Sequence, residues 1–181
     1  MTRVGLGFDV HPFVDGRPLV LGGVEVPAER GLGGHSDADV LTHAVADALL
    51  GALALGDLGQ HFPDTDPRYR GISSLRLLGE VVDRVRSHGG RIVNVDATVV
   101  AEGPRLAGWL QAMRSRLADT LGLAVDRVSV KAKAAERLGA LGRHEGIAAM
   151  AVALVEVGRI DGAESFGPRH PSQEHPERGA L

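Results

Sequence analysis

The sequence predicts an α/β (α+β) fold, a mixed sheet of about four to five strands with helices on one face. The main ground is the order of periodicities: segments alternating at period two are interleaved with segments of helical period, in the order β-β-α-α-β-α-β-β. Gly supplies 25 of the 181 residues, about twice the usual share of ~7%, which demands many turns or close backbone approaches. Aromatic residues are only 3%, so the core is aliphatic and rich in Ala. Helices on one face leave the other bare, and an oligomer that buries it is expected. The length suits one domain, taken as residues 1–158, which needs no disulfide or metal simply to stay folded.

Residues 4–11 (VGLGFDVH) alternate as a strand, with Val4, Leu6, Phe8 and Val10 on one face and Gly5, Gly7, Asp9 and His11 on the other. A second strand is expected over 19–26, entered from the turn-prone Asp15-Gly16. The loop 31–35 (GLGGH) then leads into a helix over 37–54, with Ser36 or Asp37 as N-cap and Asp39 in the first turn. Residues 57–71, polar and broken by two prolines, read as an ordered loop. Ile72, Leu75, Leu78, Val82 and Val85 mark an amphipathic helix over 72–88, stopped by Gly89-Gly90. A strand at 91–101, a helix from 105 to 121 and a strand at 127–134 follow. The apolar run 147–157 fits a strand or a buried helix; its shortness and its bracketing by Gly146 and Gly158 favour a strand. Residues 159–181 lack periodicity and read as a mobile tail.

The net charge of −3 argues against a general nucleic-acid binder. No apolar run approaches the roughly 20 residues of a membrane span, and the first residues do not form an export signal, so a cytoplasmic protein without membrane partners is expected. With no Cys, thiolate metal sites and Cys nucleophiles are excluded.

Asp9 and His11, two apart on a strand, project from one face, while Asp39, His43 and Asp47 are spaced by four along one helical stripe. Asp9, His11 and His43 are either the ligand set of a catalytic zinc site with an open fourth position, or a chance D-x-H pair and a merely packed or exposed helical His. Asp47, a turn beyond His43, is the candidate acceptor for its second ring N–H. His35 and Ser36, behind two glycines, suit either a phosphate at the helix N-terminus or an ordinary cap. The cluster Asp57, Gly59, Phe62, Asp64, Thr65 and Asp66 either accepts from polyol hydroxyls or caps turns beside Pro63 and Pro67. Lys131, Lys133, Glu136 and Arg143 form a mixed-charge segment, suited to phosphates and a cation or simply to solvent.

Four stretches taken together, GFDVHPF at 7–13, HSDADVLTHAVADALLGALALGDLGQHFPDTDP at 35–67, NVDATVVAEGPRL at 94–106 and LGALGRHEGIA at 138–148, resemble the 2-C-methyl-D-erythritol 2,4-cyclodiphosphate synthase family of the non-mevalonate isoprenoid pathway. The resemblance covers about residues 2–157. It implies conversion of 4-diphosphocytidyl-2-C-methyl-D-erythritol 2-phosphate to the cyclic diphosphate and CMP, in a homotrimer with active sites at subunit boundaries. It implies Zn²⁺ on Asp9, His11 and His43, and Mg²⁺ or Mn²⁺ on Glu136. His35 and Ser36 match substrate-phosphate contacts, His35 also matching a transition-state stabiliser. Asp57, Leu58, Gly59, Phe62, Pro63, Asp64, Thr65 and Asp66 match contacts to the methylerythritol side. Ala101, Pro104, Arg105 and Leu106 match a cytosine pocket. Lys133, Ala134, Ala135, Glu136, Ala140 and Arg143 match further substrate contacts. The family usually has Thr at the position of Ala134, an aromatic at Ala140 and Lys at Arg105.

Overall fold

Strand β1 (Thr2–Val14) lies between β4 (Gly31–Leu32) and β7 (Gly146–Val157) in a five-stranded sheet of order β4-β1-β7-β5-β6. Strands β5 (Gly90–Val100) and β6 (Val128–Lys133) are its one parallel pair, and the other neighbours are antiparallel. The computed structural model describes residues 1–158; the 159–181 segment read as a tail lies outside the described residues. The run at 147–157 is a strand because both its edges are hydrogen-bonded and its alternate residues Ala149, Ala151 and Ala153 are buried.

Helices α1 (Val40–Ala52), α3 (Ser74–Ser87) and α4 (Leu110–Leu121) cover one sheet face, with the single-turn helices α2 (Leu58–His61) and α5 (Gly139–Gly142) in the connections. Helix α1 packs on β1 and β7 below and on α3 beside it, which is why it is apolar nearly all round. Its Leu41, Leu49 and Leu50 are fully buried, each burial contributing roughly 1.5–3 kcal/mol. The glycines of β1 permit this contact. A Cβ on Gly5 would stand 1.9 Å from the Ala48 carbonyl oxygen, and one on Gly7 2.0 Å from that of Ala44. The glycine face of β1 is therefore the inner one. The apolar face is open: Leu6 is 68% and Phe8 57% exposed, beside exposed Val4, Val10, Met150 and Val152.

Several boundaries differ from the sequence reading. The single strand expected over 19–26 is a hairpin, β2 (Leu19–Leu21) and β3 (Val24–Val26), reversed at Gly22-Gly23 where both residues have positive φ. Helix α1 starts at Val40, capped by Asp39 rather than by Ser36 or Asp37. Helix α4 starts at Leu110 rather than 105, and within the loop 57–71 lie α2 and a 3₁₀ turn at Pro67–Tyr69. Among the described residues, no helix is long and apolar enough to cross a membrane.

Candidate metal centre

Asp9 and His11 emerge from the inner face of β1 where α1 begins, and His43 reaches them from the first turn of α1. Asp9 Oδ2 lies 2.9 Å from His11 Nε2 and 2.9 Å from His43 Nδ1, and the two ring nitrogens are 3.1 Å apart. Tetrahedral ligands at roughly 2.0–2.1 Å from zinc are separated by about 3.3 Å, so the cluster needs only a slight opening to take such an ion. Two imidazole nitrogens and a carboxylate oxygen form a donor set suited to a divalent transition metal.

Electrostatics favour a cation here. Burial opposes ionisation of Asp9, but the His11 and His43 imidazoles outweigh it and hold its carboxyl well below the usual carboxylate range. Burial pulls His11 down, but its hydrogen bond to Asp9 and the carboxylate charge prevail and raise it above 6.5. A metal must displace that proton. The apparent affinity should therefore fall as pH drops through the raised His11 value, approaching about tenfold per unit for one proton. Zn²⁺ titrations against a chelator of known pH dependence, from pH 8.5 down to 6, check this; a flat profile contradicts it.

His11 Nδ1–H donates to the Gly33 carbonyl at 2.6 Å, leaving Nε2 to face Asp9 and His43. Behind His43, Nε2 meets Ser74 Oγ at 2.8 Å and Ser36 Oγ at 3.1 Å. The expected acceptor Asp47 is not there: its Oδ1 takes the Leu58 N–H at 2.7 Å, at the start of α2. Helical side chains lean toward the helix N-terminus, so the His43 ring tilts away from the following turn, where Asp47 sits. Burial raises the Asp47 carboxyl, offset in part by the Leu58 N–H. Asp39 leaves the expected polar stripe too. It is fully buried, accepting from Thr42 N and Oγ1 and from the backbone of Gly22 and Gly23. Burial raises its carboxyl while these donors pull it back.

The triad lies in a cleft of about 660 Å³. Of the residues singled out in the sequence, His35, Ser36, Asp57, Leu58, Gly59, Phe62, Pro63 and Asp64 line it; Thr65 and Asp66 do not. Asp57 and Asp66 behave as turn caps, accepting from Gln60 N and Arg68 N. His35 donates from Nε2 to the Asp66 carbonyl at 3.1 Å, tying the loop ahead of α1 to the 57–71 connection.

The remaining candidates do not line that cleft. The Ala101 N–H donates to the Lys133 carbonyl, the Arg137 N–H to Glu102, and Arg143 pairs with Glu145. Ala101 and Glu102 thus sit beside Lys133 and Arg137, and the stretch between these two holds Ala134, Ala135 and Glu136. Pro104 borders a hollow with Phe13, Arg30 and His144, while Arg105 is exposed and Leu106 is buried. Ala140 is in α5 and Arg143 follows it. Lys131 instead pairs with Asp96 on the sheet. Asp9 shares a row with Ala149, Val99 and Ala132. Ala132 is therefore at the same sheet end as Asp9 but three strand spacings away, roughly 14 Å, whereas Arg143 lies two residues before Glu145, whose carbonyl takes the Phe13 N–H at the end of β1. Missed by the sequence reading were Tyr69 and Leu77, which line the cleft, and Arg17, whose guanidinium donates to the Gly34 and Ser36 carbonyls. Tyr69 was legible as the aromatic of a polar loop; Arg17 carried no signal.

Fold and site define an α/β protein with an Asp-His-His cluster, able to hold a divalent metal, in an open cleft. The model of the YgbB family matches residues 2–156, and the chain belongs to that family. The 2-C-methyl-D-erythritol 2,4-cyclodiphosphate synthase of Laribacter hongkongensis is 63% identical over 154 residues, spanning 85% of this chain and 95% of its own. That of Syntrophobacter fumaroxidans is 59% identical over 160 residues, 88% of this chain and 99% of its own. A solved 2C-methyl-D-erythritol-2,4-cyclodiphosphate synthase in a CDP-bound form superposes with TM-score 0.79 at 36% identity, covering 85% of this chain and all of that one. The bifunctional IspDF from Campylobacter jejuni gives TM-score 0.84 at 43% identity over 87% of this chain, which spans only 43% of that protein.

Proposed function

We propose that residues 1–158 form one enzyme unit, cytoplasmic, that converts 4-diphosphocytidyl-2-C-methyl-D-erythritol 2-phosphate to 2-C-methyl-D-erythritol 2,4-cyclodiphosphate and CMP. The observation that carries the reading is the convergence of Asp9, His11 and His43 in a cleft whose other walls include Asp57, Leu58, Gly59, Phe62, Pro63 and Asp64, six of the eight residues that match the methylerythritol side. An oxygen of the 2-phosphate bonds to the β-phosphorus while the bond to the bridging oxygen breaks, its electron pair leaving on CMP. The nucleophile is already an anion, so the chain needs no general base. Its work is to bring two repelling groups together and to balance their charge.

The Phe62–Asp64 wall and the helix that Asp57 caps would hold the polyol, leaving His35 and Ser36 beside the phosphates. Backbone groups around Ala101, Pro104, Arg105 and Leu106 would receive cytosine, with Arg143 and the Lys133–Glu136 segment at the diphosphate. Asp9, His11 and His43 would hold Zn²⁺, and Glu136 Mg²⁺ or Mn²⁺, whose chemistry when bound is Lewis-acid withdrawal of charge from phosphoryl oxygens.

The end of β6, which leads to Glu136 and lies roughly 14 Å from Asp9 within one chain, and an open apolar sheet face both favour a homotrimer in which the Lys133–Glu136 segment of one copy meets the triad of the next. Sedimentation should give the mass of three chains; a monomer at working concentration contradicts that arrangement. The activity itself is tested by supplying the substrate with Zn²⁺ and Mg²⁺ in ¹⁸O-water. Equal release of CMP and unlabelled cyclic diphosphate is the expected result, and a ring-opened product carrying ¹⁸O makes the protein a hydrolase. Ala134 lacks the hydroxyl that a Thr would aim at developing charge. Ala134→Thr should therefore raise kcat, by up to about a hundredfold, and steady-state assays of the pair measure the gain.

A further inference from the structure

Arg17 does not line the cleft, yet both arms of its guanidinium reach the loop that forms one wall of it. We propose that Arg17 is a positioning residue that fixes the backbone N–H groups of the 34–36 stretch as a phosphate cradle. The proposal rests on the reading of His35 and Ser36 as phosphate contacts.

Every carbonyl from Gly33 to Ser36 is already taken. That of Gly33 meets His11 Nδ1 at 2.6 Å, and that of His35 accepts the Gly71 N–H at 2.8 Å. Those of Gly34 and Ser36 accept from the two terminal nitrogens of Arg17. These peptides are trans, and a trans peptide directs its N–H opposite to its C=O. The N–H after each carbonyl therefore points away from the donor that holds it. The Asp37 N–H, opposite the Ser36 carbonyl, reaches the Ile72 carbonyl at 3.0 Å and zips the loop to the approach of α3. Among the described residues, the N–H groups of Gly34, His35 and Ser36 meet no acceptor, although all three residues line the cleft and Ser36 is buried. Unpaired N–H groups in such a place are costly, and a run of them beside an open cleft suits an anion.

Arg17 supplies charge as well as direction. Among the described residues no carboxylate pairs with it, so its positive charge acts on the two peptides it holds. A charged donor on a carbonyl polarises that peptide and strengthens the N–H on its far side. For the Gly34 carbonyl, that N–H belongs to His35. The residue is itself anchored from behind. A Cβ on Gly31 would stand 2.2 Å from the Pro18 carbonyl oxygen and 2.5 Å from that of Arg17, so the β1–β2 connection lies directly against the start of β4. A planar guanidinium spans two carbonyls in a fixed fork, which the ammonium of a Lys does not.

Arg17→Met keeps most of the side-chain stem and deletes the fork and the charge. Inorganic phosphate titrated into the metal-free protein should move the His35 and Ser36 amide signals in ¹H–¹⁵N spectra, with affinity about tenfold weaker in Arg17→Met. With the full substrate, KM should rise about tenfold while kcat stays within about threefold, the pattern of a lost binding contact. Zn²⁺ affinity, read with the metal alone against a chelator, should change by less than about twofold, because β1 and α1 carry the triad. Arg17→Lys, with charge but no fork, should recover only part of the loss. Phosphate affinity equal in native and Arg17→Met overturns the proposal. So does Zn²⁺ affinity that falls as far as phosphate affinity, which would make Arg17 a prop for His11. If Arg17→Met does not fold, Arg17→Lys decides: native phosphate affinity there refutes the fork. Native amides that ignore phosphate remove the phosphate reading of the loop and the proposal with it, whereas a native response that no substitution alters sinks the role of Arg17 alone.

Discussion

His43→Ala is expected to abolish metal binding and to lower turnover on the order of a thousandfold or more, with the sheet and helices intact. The triad would keep one carboxylate and one imidazole, too few to hold an ion against water. The charge that a bound cation would balance at the reacting phosphates would be uncompensated, and losing a single preorganised stabiliser already costs about 100- to 1000-fold. The fold should survive because the surrounding helix is held by Leu41, Ala44, Val45 and Ala48, none of which depends on the imidazole. Metal content after dialysis, circular dichroism and CMP release on the same sample check the three parts. Full turnover in a verified metal-free variant would remove His43 from the chemistry.

Gly7→Ala has the largest expected effect on stability. The new methyl would lie 2.0 Å from the Ala44 carbonyl oxygen and 2.6 Å from the Ala48 nitrogen, both backbone atoms of α1 that no rotamer change can move. Relief requires the helix to retreat by more than about 1 Å, opening its packed face, at a cost of about 4 kcal/mol or more. For a chain of this size that lowers Tm by roughly 10 °C or more. The retreat carries His43 away from Asp9 and His11, so metal affinity should fall with stability. Gly51→Ala is the matched control. Its Cβ would meet only the Leu6 carbonyl oxygen at 3.8 Å, and a glycine lost from an exposed helical position should stabilise by about 0.5–1 kcal/mol. Calorimetry of the two variants separates a steric cause from a general intolerance of substitution.

Much of this was legible in the one-dimensional pattern, and what was not has physical reasons. Strand alternation placed Asp9 and His11 on one face and Val4, Leu6, Phe8 and Val10 on the other, because the period of two is a local property of the backbone. It could not say that the glycine face faces inward, since that depends on how near α1 comes. The four-residue spacing put Asp47 on the His43 stripe, but the N-terminal tilt of helical side chains and an unpaired N–H at Leu58 took it elsewhere. Gly22-Gly23 was the available hairpin signal, masked by apolar residues on both sides. Asp37 and Ser74 meet only because two loops are zipped side by side, and no spacing rule spans 37 residues. The distance between the triad and Glu136 is set by strand order, which the sequence does not display.

Strand β1 holds two residues of the candidate metal centre and has as its principal neighbour β7, the last strand among the described residues, with Asp9 opposite Ala149. During synthesis on the ribosome, β1 emerges early and waits for almost the whole remaining domain before its pairing edge is filled. Until then its bare apolar side and unmet peptide groups are open to wrong company, and closure over so long a span makes for slow folding. The centre is thus a late event in the life of the nascent chain. Metal uptake should follow the emergence of β7, and fragments stopped short of it should bind chaperones rather than ions.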